Sequence, residues 1–135
     1  MEIKKLILRS NLSSGGYGYI SYGWGNGYVG VPPDHPWHGK SYGHELLQDI
    51  SVHGGLTWAS DYAPRPPTID DPSPRCSPGY WWFGFDTAHL GDTEYSCPKS
   101  YVEAETERLY QQACVVYDPV QIREDTNHRK LDADL

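Results

Sequence analysis

The sequence predicts a small α+β domain, in which four or five mostly antiparallel strands are covered by one long C-terminal helix and one short helix. Two segments carry this prediction. Residues 80–87 are an aromatic strand candidate, and residues 100–115 place apolar side chains at helical spacing. The 135 residues can bury a core without help from a metal or disulfide. We place the domain at residues 1–118 and a polar, flexible tail at 119–135.

The N-terminal part of the chain predicts strands separated by glycine-rich turns. Residues 3–8 are a short apolar run, which indicates the first strand. In the glycine- and tyrosine-rich segment that follows, residues 18–22 and 28–31 are expected to pair as a hairpin. Its turn is placed at residues 24–27, because the Asn-Gly pair there tolerates the positive φ angles of tight turns.

The middle of the chain predicts a loop, a short helix and an interrupted strand. Three prolines make residues 32–40 irregular. A short helix is expected over 41–49, with the serine at its start as N-cap and with Leu46 and Leu47 buried. Residues 52–59 have the composition of a strand, and their Gly-Gly pair indicates a bulge or a close approach.

The C-terminal half predicts the strand and the helix that build the core. The proline-rich residues 60–79 form a long loop, and residues 80–87 form the clearest strand. Ser100 and Glu103 make a capping box that opens the helix over 100–115, with Glu105 facing outward. One face of this helix is expected to be buried: Val102, Thr106, Leu109, Ala113 and Val116.

Composition and charge exclude some classes of function. The formal net charge of −7 makes the protein a poor general binder of DNA or RNA. No segment resembles a secretory signal or a membrane span, so we expect a cytoplasmic protein that does not bind membranes. The three cysteines are widely spaced and fit neither a disulfide framework nor a CxxC zinc pattern, so they are interpreted as structural.

Two phosphate-binding patterns are present but incomplete. Residues 39–41, Gly-Lys-Ser, resemble the end of a Walker A loop, but Asp34 occupies the position of the first glycine. Lys40 can still meet one phosphate near the start of the short helix. The alternating glycines of residues 23–27 resemble part of a dinucleotide fingerprint, but no helix follows them.

Histidine and aspartate residues mark a candidate reactive site. Asp86, His89 and Asp92 are spaced by three after the aromatic strand, so a turn there can direct them into one cleft. Together with His53 they are candidate ligands for zinc, manganese or iron. If the protein is an enzyme, His53, Asp86 and His89 are the catalytic candidates, with His38 as a further acid or base. The structural alternative is that Asp86 caps a turn and His89 satisfies a buried carbonyl.

Aromatic side chains suggest a binding site for a flat ligand. The chain has five tryptophans and eleven tyrosines, which can stack on bases as well as fill cores. Trp81 and Trp82 must face opposite sides of their strand, so one of them meets a second layer, a loop, a partner or a ligand. The candidate ligand-binding residues combine aromatic, polar and ionisable side chains: His38, Lys40, His53, Thr57, Trp58, Trp82, Asp86, His89 and Asp92.

Three blocks of the sequence resemble a protein family. They are a Gly-Val-Pro, His-Pro and His-Gly block at residues 30–39, HGGLT at 53–57, and WFGFD-x-AH-x-GD at 82–92. As a set, over about residues 28–110, they resemble a family of small uncharacterised phage and prophage proteins. The resemblance implies a viral origin and a setting in the cytoplasm of an infected bacterium. By analogy, such proteins often act against host defence, some by binding or destroying nucleotide signals.

Three functions remain open at this point. The first is a counter-defence protein that binds and sequesters a small nucleotide-like signalling molecule, expected to be a homo-oligomer. The second is a small hydrolase or phosphodiesterase, with or without a divalent metal, that cleaves such a molecule. The third is a protein–protein inhibitor of a host factor. We favour capture, because aromatic and glycine residues outnumber the candidate catalytic groups.

Overall fold

The computed structural model describes residues 2–9, 22–64, 75–76 and 79–117, with the backbone alone at 75–76. These ranges contain six strands and one α-helix: β1 Lys4–Arg9, β2 Gly25–Val31, β3 Trp58–Ser60, β4 Tyr62–Ala63, β5 Arg75–Cys76, β6 Trp81–Phe85 and α1 Lys99–Tyr117. Four of the strands form an antiparallel sheet in the order β1-β2-β6-β3, and β4 pairs with β5. The predicted α+β class is confirmed.

Helix α1 packs across one face of the four-stranded sheet, and the core lies between them. Side chains alternate between the two faces of each strand, and Val29 and its register partner Phe83 point toward the helix. The Trp37 ring meets Phe83 edge-on, with 5.9 Å between ring centroids. The side chains buried in this layer are mostly apolar: Val29, Val31, Trp37, Phe83, Phe85, Val102, Leu109 and Ala113.

Strand β2 is rich in glycine because neighbouring side chains occupy the space above several of its positions. A Cβ at Gly27 would lie 1.9 Å from Thr106 Oγ1, so α1 can approach the sheet closely only at a glycine. On the other face, the Trp82 ring lies over Gly30. The Asn-Gly turn predicted at residues 24–27 is therefore wrong, since these residues lie in or next to an extended strand. Apart from Tyr22, the partner strand predicted at 18–22 falls outside the described residues.

The short helix predicted at residues 41–49 is a single turn of 3-10 helix at Glu45–Leu47. Its N-cap is His44, whose side chain accepts a hydrogen bond from the Leu46 N–H, and not the predicted Ser41. Leu47 is buried as expected, whereas Leu46 is exposed. One turn presents a narrow face to the core, so it buries one leucine rather than two.

The strand predicted at residues 52–59 exists only at its end, as β3. The Gly-Gly pair produces this difference. Gly54 and Gly55 have φ angles of 69° and 79°, which are incompatible with a continuing strand. The chain turns there, and pairing with β6 begins at Trp58.

Helix α1 is longer than predicted and buries one charged residue. It begins at Lys99, and the Pro98 carbonyl accepts a hydrogen bond from the Val102 N–H. Ser100 therefore lies within the first turn, and the predicted capping box is misplaced. Glu105, expected to face outward, is buried, because its carboxylate binds the His53 N–H and the Arg108 guanidinium.

Two predicted irregular regions lie largely outside the described residues. The proline-rich loop at 60–79 contributes β4 and β5 within its described part, and the tail predicted at 119–135 is not described. Among the described residues, no helix has both the length and the apolar character needed to cross a lipid bilayer.

His35 is a buried histidine that fastens the 32–40 loop to α1. Its Nδ1 accepts a hydrogen bond from the Trp37 N–H at 2.9 Å, so the ring proton of a neutral imidazole lies on Nε2. Nε2 then donates to the Ala113 carbonyl at 2.8 Å. Burial lowers the pKa of His35, against a smaller opposing effect of its hydrogen bond to Ala113. The fold is therefore built around the neutral form of this side chain.

We expect Gly27→Ala to destabilise the protein by about 1–3 kcal/mol, because the added methyl group collides with Thr106 and the Phe85 ring. Chemical denaturation followed by tryptophan fluorescence measures the change. Gly43→Ala is the matched control, since a Cβ at Gly43 would meet no described atom within 4 Å. Equal stability of the two variants would contradict the close approach of α1 to β2.

We also expect the free energy of unfolding to fall as the pH drops below about 6.5, the ordinary histidine pKa. The unfolded chain then takes up a proton that folded His35 binds less readily, so stability is lost toward lower pH. Urea denaturation on both sides of this pH should show a smaller loss for His35→Gln than for the native chain. The same pH dependence in both proteins would mean that His35 is not responsible.

Candidate functional site

Residues 52–55 form a tight turn that presents His53. The turn is closed by a 2.9 Å hydrogen bond from its last N–H to its first carbonyl, and its third residue, Gly54, has a positive φ, as type II turns require. A Cβ at Gly54 would lie 2.3 Å from the His89 ring, so the glycine also makes room for that histidine. The backbone N–H of His53 donates a hydrogen bond to the Glu105 carboxylate at 2.8 Å, and this bond anchors the turn to α1.

Residues 89–92 form a second turn of the same kind after β6. The Asp92 N–H donates to the His89 carbonyl at 2.9 Å, and Gly91 in the third position has a φ of 94°. The Asp92 carboxylate bonds back to the His89 N–H at 3.0 Å. This reciprocal pair fixes the turn and the Asp92 side chain.

The two turns meet at the Asp92 carboxylate. His53 Nε2 lies 3.1 and 3.0 Å from its two oxygens, and His89 Nδ1 lies 3.0 Å from Oδ2. An ionised carboxylate only accepts hydrogen bonds, so both histidines direct an N–H toward it. The Tyr101 hydroxyl lies 2.9 Å from His53 Nδ1. Asp92 is the most buried of the three, with 10% of its side chain exposed. His53 is 19% exposed and His89 is 37% exposed.

Asp86 extends this network to the surface. Its Oδ1 accepts a hydrogen bond from the Ala88 N–H at 2.9 Å and lies 3.6 Å from His89 Nε2. Its Oδ2 accepts a hydrogen bond from the Thr57 hydroxyl at 2.9 Å. Asp86 therefore caps a local turn, as the structural alternative expects. His89 bonds to a carboxylate instead of a carbonyl.

We call the four side chains His53, Asp86, His89 and Asp92 the His–Asp cluster. It brings together the four predicted metal candidates, including the three main catalytic candidates, from two separate segments of the chain. His38, the further acid or base, is not among them. The charged oxygens of Asp92 set its electrostatics. Burial acts to raise the pKa of Asp92, but hydrogen bonds from His53 and His89 outweigh it, and the pKa lies below its usual value.

An open cavity of about 210 Å³ lies beside the cluster, on the sheet face that points away from α1. Tyr28 and Trp58 meet edge-on within it, with 5.4 Å between their ring centroids. Asn26 donates to the Tyr28 hydroxyl at 3.2 Å. We call this cavity the aromatic cleft, and its lining residues are Asn26, Tyr28, Thr57, Trp58, Gly84, Phe85 and Asp86.

A second cavity, of about 290 Å³, lies between β1 and α1. Its polar lining includes Lys5 and Glu107, which pair with each other, and it contains no histidine. The larger cavity is thus separate from the ionisable network, and the aromatic cleft is the better candidate site.

Three of the predicted ligand-binding residues lie elsewhere. His38 bonds to the Gly79 carbonyl, and the Lys40 carbonyl accepts the Trp81 indole N–H, so both lie near the start of β6. The five residues of β6 separate that end from the cluster by roughly 16 Å. Trp82 is buried against Gly30. Thr57 and Trp58, in contrast, line the aromatic cleft.

Three residues of the site were not predicted from the sequence: Cys97, Tyr101 and Tyr28. Cys97 is buried, and its Sγ lies 4.0 Å from His53 Nε2, although it was interpreted as structural. Burial raises the pKa of Cys97. One signal was available, because His89, Asp92 and Cys97 fall within nine residues and are all common metal ligands. Tyr28 lies in the site because β2 pairs with β6 and places it opposite Gly84, a register that the sequence does not reveal.

The geometry supports both binding and proton transfer. The aromatic cleft offers ring faces next to a carboxylate and a hydroxyl. His89 has Nδ1 held by a buried carboxylate and Nε2 directed to the more exposed side, which is how a general base is oriented. No protein-family model, curated protein or solved structure matches this chain.

Proposed function

We propose that the protein binds a small nucleotide-like molecule in the aromatic cleft. The observation that carries this proposal is the arrangement of Tyr28 and Trp58 beside Asp86 and Thr57 in one open cavity. Aromatic side chains stack on any of the bases, and each stack contributes about 1–3 kcal/mol to the binding free energy. The polar groups beside them can accept and donate hydrogen bonds to the same ligand.

The charge of the cleft favours the nucleoside end of such a ligand. Among the described residues that line it, none is a lysine or arginine, and Asp86 carries a negative charge. A carboxylate accepts hydrogen bonds from a base amino group or from ribose hydroxyls, whereas it repels a phosphate. We infer that the base and sugar enter the cleft and that the phosphate stays toward solvent.

We further propose that the bound molecule is a signal and that binding sequesters it. This biological role rests on the resemblance of residues 53–57 and 82–92 to phage proteins. In that setting the protein acts in the cytoplasm of an infected bacterium, as a homo-oligomer. Capture requires the cleft alone and no chemical step.

Trp58→Ala should weaken binding by about 5- to 150-fold, the loss expected for one base stack. The test incubates the protein with cyclic and linear nucleotides and ADP-ribose derivatives. Mass spectrometry then measures what is retained and what heating releases. Tyr42→Ala, which removes an exposed ring outside the cleft, is the control and should bind normally. Capture predicts that the ligand returns intact. Equal binding by both variants would contradict the site.

The second candidate function is hydrolysis of the same kind of molecule, favoured by the contact between Asp92 and His89 Nδ1. In this scheme His89 Nε2 removes a proton from a water molecule, which attacks the scissile centre of the ligand. The resulting imidazolium, stabilised by Asp92, returns the proton to the leaving oxygen. Asp86, 3.6 Å from His89 Nε2, is placed to hold the water.

Under hydrolysis, His89→Ala should reduce turnover by about 10²- to 10⁴-fold, the usual contribution of a general base. The assay is the appearance of a new product mass in the same incubation. His38→Ala is the matched control, because His38 lies at the other end of β6 and should leave turnover unchanged. Full turnover by His89→Ala would rule out this assignment.

A further inference from the structure

The structure places three different metal-ligand side chains around one point. His53, Asp92 and Cys97 each offer one donor atom, and these atoms all lie within 4.8 Å of one another. We propose that they bind a single divalent cation of the zinc type, through His53 Nε2, one oxygen of Asp92 and Cys97 Sγ. This site is separate from the aromatic cleft and does not depend on the proposed function.

The distances suit a tetrahedral ion. Zinc bonds of about 2.0–2.3 Å place neighbouring donor atoms about 3.3–3.8 Å apart. His53 Nε2 lies 3.1 Å from Asp92 Oδ1 and 4.0 Å from Cys97 Sγ, on either side of that range. The third pair, an Asp92 oxygen and Cys97 Sγ, lies within 4.8 Å. Rotation of these side chains would bring the three donor atoms to the separations that one ion requires. A set of one nitrogen, one oxygen and one sulfur donor is typical of zinc. Magnesium and calcium prefer oxygen ligands alone, so the site does not suit them.

The surrounding residues already orient the donors. Metal-binding histidines generally donate the proton of their second nitrogen to a fixed acceptor, and the Tyr101 hydroxyl lies 2.9 Å from His53 Nδ1. When a cation takes Nε2, the ring proton moves to Nδ1 and bonds to Tyr101. Asp92 keeps its second oxygen on His89. The Cys97 thiol releases its proton to solvent as the sulfur binds.

Cys97 is a better third ligand than Asp86, the other carboxylate of the His–Asp cluster. Both oxygens of Asp86 already accept hydrogen bonds, from the Thr57 hydroxyl and from the Ala88 N–H. Cys97 is buried next to His53 and makes a long contact with Ser96 at 3.8 Å. Three protein ligands leave a fourth position for water or a ligand, as in catalytic zinc sites.

The test is a titration of the reduced, metal-free protein with Co²⁺, which reports its ligands by its absorption spectrum. We expect one Co²⁺ per chain, visible bands of tetrahedral geometry and a near-ultraviolet band from thiolate-to-cobalt charge transfer. Zn²⁺ should displace Co²⁺ and abolish these bands. Octahedral Co²⁺ spectra, or no bound metal after gel filtration, would overturn the proposal.

Matched variants test each ligand separately. Cys97→Ser should remove the charge-transfer band, whereas Cys114→Ser, on α1, should retain it. Tyr101→Phe should keep the band but weaken Co²⁺ binding by about 10- to 100-fold, because it removes the acceptor for His53. Circular dichroism confirms that each variant is folded, and Asp92→Asn replaces Cys97→Ser if that variant does not fold. An unchanged spectrum in a folded Cys97→Ser or Asp92→Asn variant would overturn the proposed ligand set.

Discussion

The buried carboxylate of Asp92 is the constraint on which the organisation of the site depends. A largely buried charge is tolerated when hydrogen bonds satisfy its oxygens, and here those bonds come from His53 and His89 on two separate turns. The turns must therefore converge at the end of β6. Tyr101 and Glu105 attach the first turn to α1, so the helix that closes the core also fixes the histidine.

The sequence was a good guide to the segments with strong periodicity. Strand β6 and helix α1 lie close to their predicted bounds, because a run of aromatic residues and a regular apolar face each favour one structure. The turn predicted from the Asn-Gly pair was wrong for the opposite reason. Its turn preference is local, whereas the strand at Gly27 is stabilised by contacts with Thr106 and Phe85, far away in the sequence. Tertiary packing outweighed the local preference.

The candidate site was also predicted in part. The spacing of His89 and Asp92 indicated that they share a turn, and His53 indeed joins them from another segment. Tyr28 could not be inferred, because its place in the aromatic cleft follows from β2 lying next to β6. Cys97 was overlooked since it belongs to no CxxC pattern, although it follows Asp92 by only five residues. Register and loop closure, rather than composition, decide these contacts.

The contact between Gly54 and the His89 ring has a consequence for how related chains can diverge. Any side chain at position 54 would occupy the volume of the imidazole and would also need a left-handed backbone. The two positions are thus sterically coupled, although they are far apart in the chain. A lineage that replaces the histidine with a small residue relaxes the steric half of the constraint, and only then does alanine or asparagine become tolerable at the glycine. Covariation between these two positions would record the presence or loss of the site across a family.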